Sequence, residues 1–129
     1  PRSIGAMAEE KKKRFTKRSL PASVRLAVEI SLAKKAEDLC VLDLRELTSF
    51  TDFFLVMNGN SSRQNAAVAE AVEAALKPAG LRPMSVEGRE SAEWVLLDYG
   101  SLVVHVFSRA ARDRYSLEQL WGDAPRLDF

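Results

Sequence analysis

The stretch from Glu93 to Phe107, E-W-V-L-L-D-Y-G-S-L-V-V-H-V-F, most constrains what this chain can fold into. It reads as two buried strands, Trp94 to Asp98 and Leu102 to Phe107, around a Tyr99-Gly100 turn. With those two residues as the loop, Asp98 pairs with Ser101, Leu96 with Val103 and Trp94 with His105. Alternation then places Trp94, Leu96, Asp98, Ser101, Val103 and His105 on one face, and Val95, Leu97, Leu102, Val104 and Val106 on the other. The second set is uniformly aliphatic and reads as core. The first mixes a large aromatic, an imidazole, a carboxylate and two aliphatics. That mixture suits a partner-binding surface, or a second covered face with His105 hydrogen-bonded inside it. A tryptophan in a partly desolvated patch is the residue type that tends to dominate binding energy.

Upstream, Ser23 can cap a helix from about Ala22 to Asp38, with Val24, Ala27, Val28, Leu32, Ala36 and Leu39 at three- and four-residue intervals. Cys40 to Leu44 and Asp52 to Met57 are short apolar runs, read as strands covered on both faces, with Arg45 to Thr51 turning the chain between them. Asn58-Gly59-Asn60 breaks the pattern. Ser61-Ser62-Arg63-Gln64 then matches a capping box, Ser61 at N-cap and Gln64 at N3. The helix it opens stacks Val68, Val72 and Leu76, pairs Glu73 with Lys77, and ends at Pro78 and Gly80. Met84 to Glu87 is a strand candidate, Ser108 to Tyr115 and Ser116 to Trp121 short helices, and Gly122 to Phe129 a loosely held tail. Tyr115, Leu117, Leu120 and Trp121 recur at helical spacing, and read first as packing on the sheet edge; Arg109, Arg112 and Arg114 read as a solvated basic face. The order predicts an α/β fold, a three-layer domain around a mixed sheet of about five strands.

Bulk properties bound the rest. A chain of 129 residues, 47% apolar and 29% charged, suits one domain, and no apolar run approaches the roughly 20 residues that span a bilayer. No membrane partner is therefore expected. The lone Cys40 has no internal partner and sits in an apolar run, so a reducing compartment is the default. The formal net charge of +1 is unevenly spread: residues 1–18 hold seven cations against Glu9 and Glu10, leaving the remainder at −4. Residues 1–19 are read as a basic, disordered leader, with residues 1–6 an expression remnant ahead of Met7, residues 20–124 as the domain, and 125–129 as a C-terminal tail. Such a leader suits weak, salt-sensitive contact with RNA.

For catalysis the sequence offers little. Gly59, Ser61 and Ser62 at a helix start could cradle an anion, but the P-loop pattern is absent and the capping box already accounts for Ser61 and Gln64. Asp43, Asp52 and Asp98 are scattered singly, without the clustered carboxylates of metal-dependent nucleotidyl transfer. One histidine and one cysteine exclude ordinary His/Cys zinc sites. No catalytic residue, metal or cofactor is expected.

Several ordered blocks resemble the ribosomal silencing factor family, also called Iojap-related. They are Asp43-Leu44 with Asp52-Phe53-Phe54, Gly59 to Gln64, Glu87-Gly88, Trp94 to Gly100, Val103 to Phe107 and Tyr115 to Ala124. Ala92 departs where a glycine is common, and Ser101 where an aspartate is. The resemblance implies a nucleotidyltransferase-like fold empty of catalytic carboxylates. It also implies a cytoplasmic, bacterial-type translational repressor that binds the large ribosomal subunit through a basic large-subunit protein, the fourteenth in the universal nomenclature, and blocks joining of the small subunit. Trp94, Leu96, Asp98, Tyr99 and His105 are the positions it carries into the contact site. A homodimer is left open. The alternative class is a nucleotide-binding enzyme using Gly59 to Gln64.

Overall fold

In the computed structural model, which describes residues 15–129, one mixed sheet runs through the molecule. In chain order the elements are α1 (Ala22–Ala33), β1 (Glu37–Asp43), β2 (Phe53–Gly59), α2 (Ser62–Leu76), β3 (Ser85–Glu87), β4 (Trp94–Asp98), β5 (Leu102–Ser108), α3 (Arg109–Tyr115), α4 (Leu117–Leu120) and β6 (Arg126–Asp128). The strand order is β3-β4-β5-β2-β1-β6, with β2 and β5 parallel and the other neighbours antiparallel. Helices α1 and α2 pack on one face, and α3 and α4 on the other. The expected mixed sheet between helical layers is present, with six strands rather than about five.

The sixth strand corrects the expectation of a loose tail. Leu127 pairs with Val41, Leu127 and Phe129 pack against the core, and the Phe129 N–H donates to the Leu39 carbonyl at 3.0 Å. The segment also closes the β1 edge, whose backbone groups would otherwise need water. At the other end, the expected leader overshoots. Phe15 is 5% exposed and stacks on Phe53, and Leu20 is buried too, so the chain is anchored from Phe15 onward. The rest of the leader expectation, including residues 1–6, lies outside the described residues.

The first helix stops five residues before the Asp38 that its apolar spacing predicts. Lys35 takes a left-handed φ of 64°, and the chain reverses so that Ala36, just before β1, and Leu39, within it, reach the core instead. Ser31 takes the buried place expected of Leu32, its Oγ donating to the Ala27 carbonyl at 2.7 Å, while Leu32 is exposed. Helix α2 follows its pattern, with Val68, Val72 and Leu76 fully buried. Its Glu73, however, bonds Arg89 rather than Lys77.

The hairpin register is shifted by two residues. Asp98 pairs with Val103, Leu96 with His105 and Trp94 with Phe107, and the Tyr99 N–H donates to the Leu102 carbonyl within a longer loop. Because side chains alternate with a period of two, a two-residue shift leaves the faces as expected. Val95, Leu97, Leu102, Val104 and Val106 do face α1 and α2 in the core.

Candidate functional site: an aromatic sheet face

Register fixes what the opposite, outer face displays. One row across the strands runs Ser85, Asp98, Val103, Phe54, Leu42 and Arg126; the next runs Glu87, Leu96, His105, Val56, Cys40 and Asp128; a third holds Trp94, Phe107 and Asn58. Helices α3 and α4 pack over the β1, β2 and β5 part of this face, forming a second core with Phe54, Val103, Phe107, Ala111 and Leu117. Toward β3 and β4, Leu96 and Asp98 remain half-buried, and Glu87 is exposed. The covered reading therefore holds for the part under the helices, while the part toward the β3 edge stays open.

Where the two parts meet, Trp94 lies half-buried with its Nε1 donating to His105 Nδ1 at 3.0 Å. Its ring centroid sits 4.9 Å from Phe107 and 4.7 Å from Tyr115, which is 48% exposed. His105 is 3% exposed, and burial pushes its pKa down to about 3, so it stays neutral. It also packs edge-on against Phe54, and thus supports the surface from beneath. Asp98 accepts from the Gly100 N–H at 2.8 Å, stabilising the hairpin loop while its carboxylate stays half-exposed. Tyr99 separates from this group. It packs against the α1/α2 core, its hydroxyl is buried without a hydrogen-bond partner, and burial pushes its pKa up to about 12.

Two contributors escape the hairpin pattern. Phe50, 61% exposed on the β1–β2 loop, contacts Phe54 and Trp121 at centroid distances of 6.2 and 6.0 Å. Tyr115 joins Trp94 from the end of α3. The helical spacing flagged Tyr115 and Trp121 as packing residues, whereas nothing local marks Phe50.

At the helix start, Gly59 and Ser61 have structural roles, while Ser62 is exposed. Ser61 Oγ accepts from the Gln64 N–H at 3.0 Å, and Gln64 Oε1 accepts from the Asn60 N–H, one residue before the expected partner. The Gln64 amide donates onward to the Lys34 and Lys35 carbonyls. A Cβ on Gly59 would sit 2.2 Å from Asn65 Oδ1, so an internal side chain occupies the room that glycine leaves. Among the described residues, no group of three or more His, Cys, Asp or Glu is arranged to hold a metal ion, and no helix is long and apolar enough to cross a membrane.

Fold and site together define an α/β domain whose distinguishing surface is an aromatic sheet face edged by carboxylates. Residues 17–129 match the family described as ribosomal silencing factor during starvation. Ribosomal silencing factors from Halalkalibacterium halodurans and Bacillus subtilis are 41% and 42% identical, over 82% and 74% of this chain and 91% and 81% of theirs. A crystal structure of a Chromobacterium violaceum protein superposes with a TM-score of 0.76 at 44% identity, covering 78% of this chain and 83% of that one. The chain belongs to the ribosomal silencing factor family.

Proposed function

We propose that the chain binds the large ribosomal subunit through the open part of the outer face, docks there on a basic large-subunit protein, the fourteenth in the universal nomenclature, and excludes the small subunit by its bulk. The observation that carries this reading is the arrangement around Leu96. Half-buried Trp94 and Leu96 form an apolar strip, Asp98 lies beyond it on the same strand, and Glu87 stands directly opposite Leu96 on β3. Apolar anchors ringed by carboxylates suit a partner with a recess edged by lysine or arginine, since rim charge steers encounter and desolvated anchors supply affinity. The mechanism is steric and needs neither turnover nor cofactor. The basic leader adds a generic, salt-sensitive attraction to ribosomal RNA.

Sucrose-gradient sedimentation of mixed subunits tests the proposal. Saturating protein is expected to deplete the joined-ribosome peak and to travel with the large subunit. An undiminished joined peak sinks it.

A further inference from the structure

Helices α3 and α4 meet at Ser116, whose φ of 46° turns the chain sharply between them. A four-residue α4 has little stability of its own, because a single helical turn orders many dihedrals for few hydrogen bonds. What spans the kink is Arg112. Its Nε donates to Glu118 Oε1 on α4 at 2.8 Å, its Nη1 to Asn58 Oδ1 on β2 at 2.9 Å, and its Nη2 points at Cys40 Sγ on β1 at 3.8 Å. One guanidinium, on a residue only 9% exposed, thus ties both short helices to β2 and β1. Its rigid planar fork can serve three directions at once, which a lysine ammonium on a flexible stem does less well. The arginines flanking it differ: Arg109 and Arg114 are exposed, so the basic face expected of all three excludes Arg112.

The aromatic residues lie just beyond this tie. Tyr115 ends α3 against Trp94, and Trp121 follows α4 with its ring 6.1 Å from Phe54 and 6.0 Å from Phe50. We propose that Arg112 is the positioning residue of the docking surface: through Glu118 it fixes the angle at Ser116, and so holds Tyr115 and Trp121 where they frame Trp94 and Phe50. This rests on the docking reading above, and deepens it by naming what preorganises the surface. Ordering these side chains before encounter spares the entropy that binding would otherwise have to supply.

The test compares wild type, Arg112→Met, Glu118→Ala and Glu118→Gln, with Trp94→Ala as reference. Affinity is measured for purified large ribosomal subunits, and near-ultraviolet circular dichroism is recorded at a temperature where each variant is folded. Glu118→Ala leaves the ties to Asn58 and Cys40 in place, so it remains informative should Arg112→Met fail to fold. It is expected to weaken binding roughly tenfold, the effect of displacing one anchoring aromatic, and to change the aromatic circular dichroism. Glu118→Gln keeps an acceptor for Arg112 Nε and is expected to restore most of both signals. A merely structural role would lower the melting temperature while leaving the aromatic signal and the affinity of the folded protein unchanged, and that result overturns the proposal. If Trp94→Ala also binds like wild type, the docking reading fails by itself; positioning is then decided by the circular dichroism, with an unchanged spectrum in Glu118→Ala sinking it.

Discussion

His105 has both ring nitrogens inside the fold: Nδ1 accepts from Trp94, and Nε2 has no hydrogen-bond partner. Desolvation holds its folded pKa near 3, against an ordinary value of 6.5. Below pH 6.5 the unfolded chain therefore binds a proton that the folded chain refuses. The stability contributed by neutral His105 is present above that value and is lost as pH falls toward about 3, at about 1.4 kcal/mol per pH unit. Urea denaturation at pH 7.5 and pH 5 is expected to show this acid loss in wild type and a smaller one in His105→Gln. Trp94→Ala removes both a ring and the donor to His105. It should weaken ribosome binding by more than tenfold and cost about 2 kcal/mol of stability. Trp94→Phe, measured alongside, separates the two effects by keeping a ring and dropping the hydrogen bond. Val104→Asp is expected instead to unfold the domain, because Val104 is fully inaccessible and a buried unpaired carboxylate is prohibitive. Ala92 illustrates opposing small effects: its φ of 53° favours glycine, while its methyl group is buried in the core. Relief of left-handed strain is offset by the lost methyl and by glycine's entropy, leaving Ala92→Gly within about 1 kcal/mol of wild type by urea denaturation.

Among the elements, β6 makes the sharpest prediction. Removing residues 126–129 strips Leu127 and Phe129 from the core and opens the β1 edge, and should cost about 2 kcal/mol or more and promote association, both readable by urea titration and light scattering. This strand was the least legible element in the sequence, since three residues with one apolar position carry almost no periodic signal. Helix α1 was over-read for the opposite reason: Ala36 and Leu39 continue its spacing, and the left-handed Lys35 that ends it is not a glycine. By contrast, Trp94–Asp98 was readable to the residue, and its faces survived a mistaken loop length because the slip was even. The candidate site followed the same division. Trp94, Leu96, Asp98 and His105 share a strand pair and could be placed together by alternation. Phe50 and Tyr115 join them only through tertiary packing, and Tyr99 left them because it sits in the loop, where alternation no longer governs direction.

For the whole molecule, the buried Phe15 decides how the leader can be tested. Deleting residues 1–14 should leave the melting temperature unchanged, preserve binding at low salt, and reduce the dependence of affinity on salt concentration. Deleting through residue 18 also removes Phe15 and should lower the melting temperature. Loss of low-salt binding by the shorter deletion would mean that the basic segment recognises the partner rather than merely attracting it. The strand order has a consequence in time as well as in space. The central β5 is the fifth strand made, and it is the one that joins the β1–β2 pair to the β3–β4 pair. A chain emerging from its N-terminus therefore holds β2 with one side unpaired until residues past 108 are available, and β1 waits longer still for β6. Such long-range pairing makes for slow closure, so this protein must remain unfinished for most of its own synthesis, on the machine that its family silences.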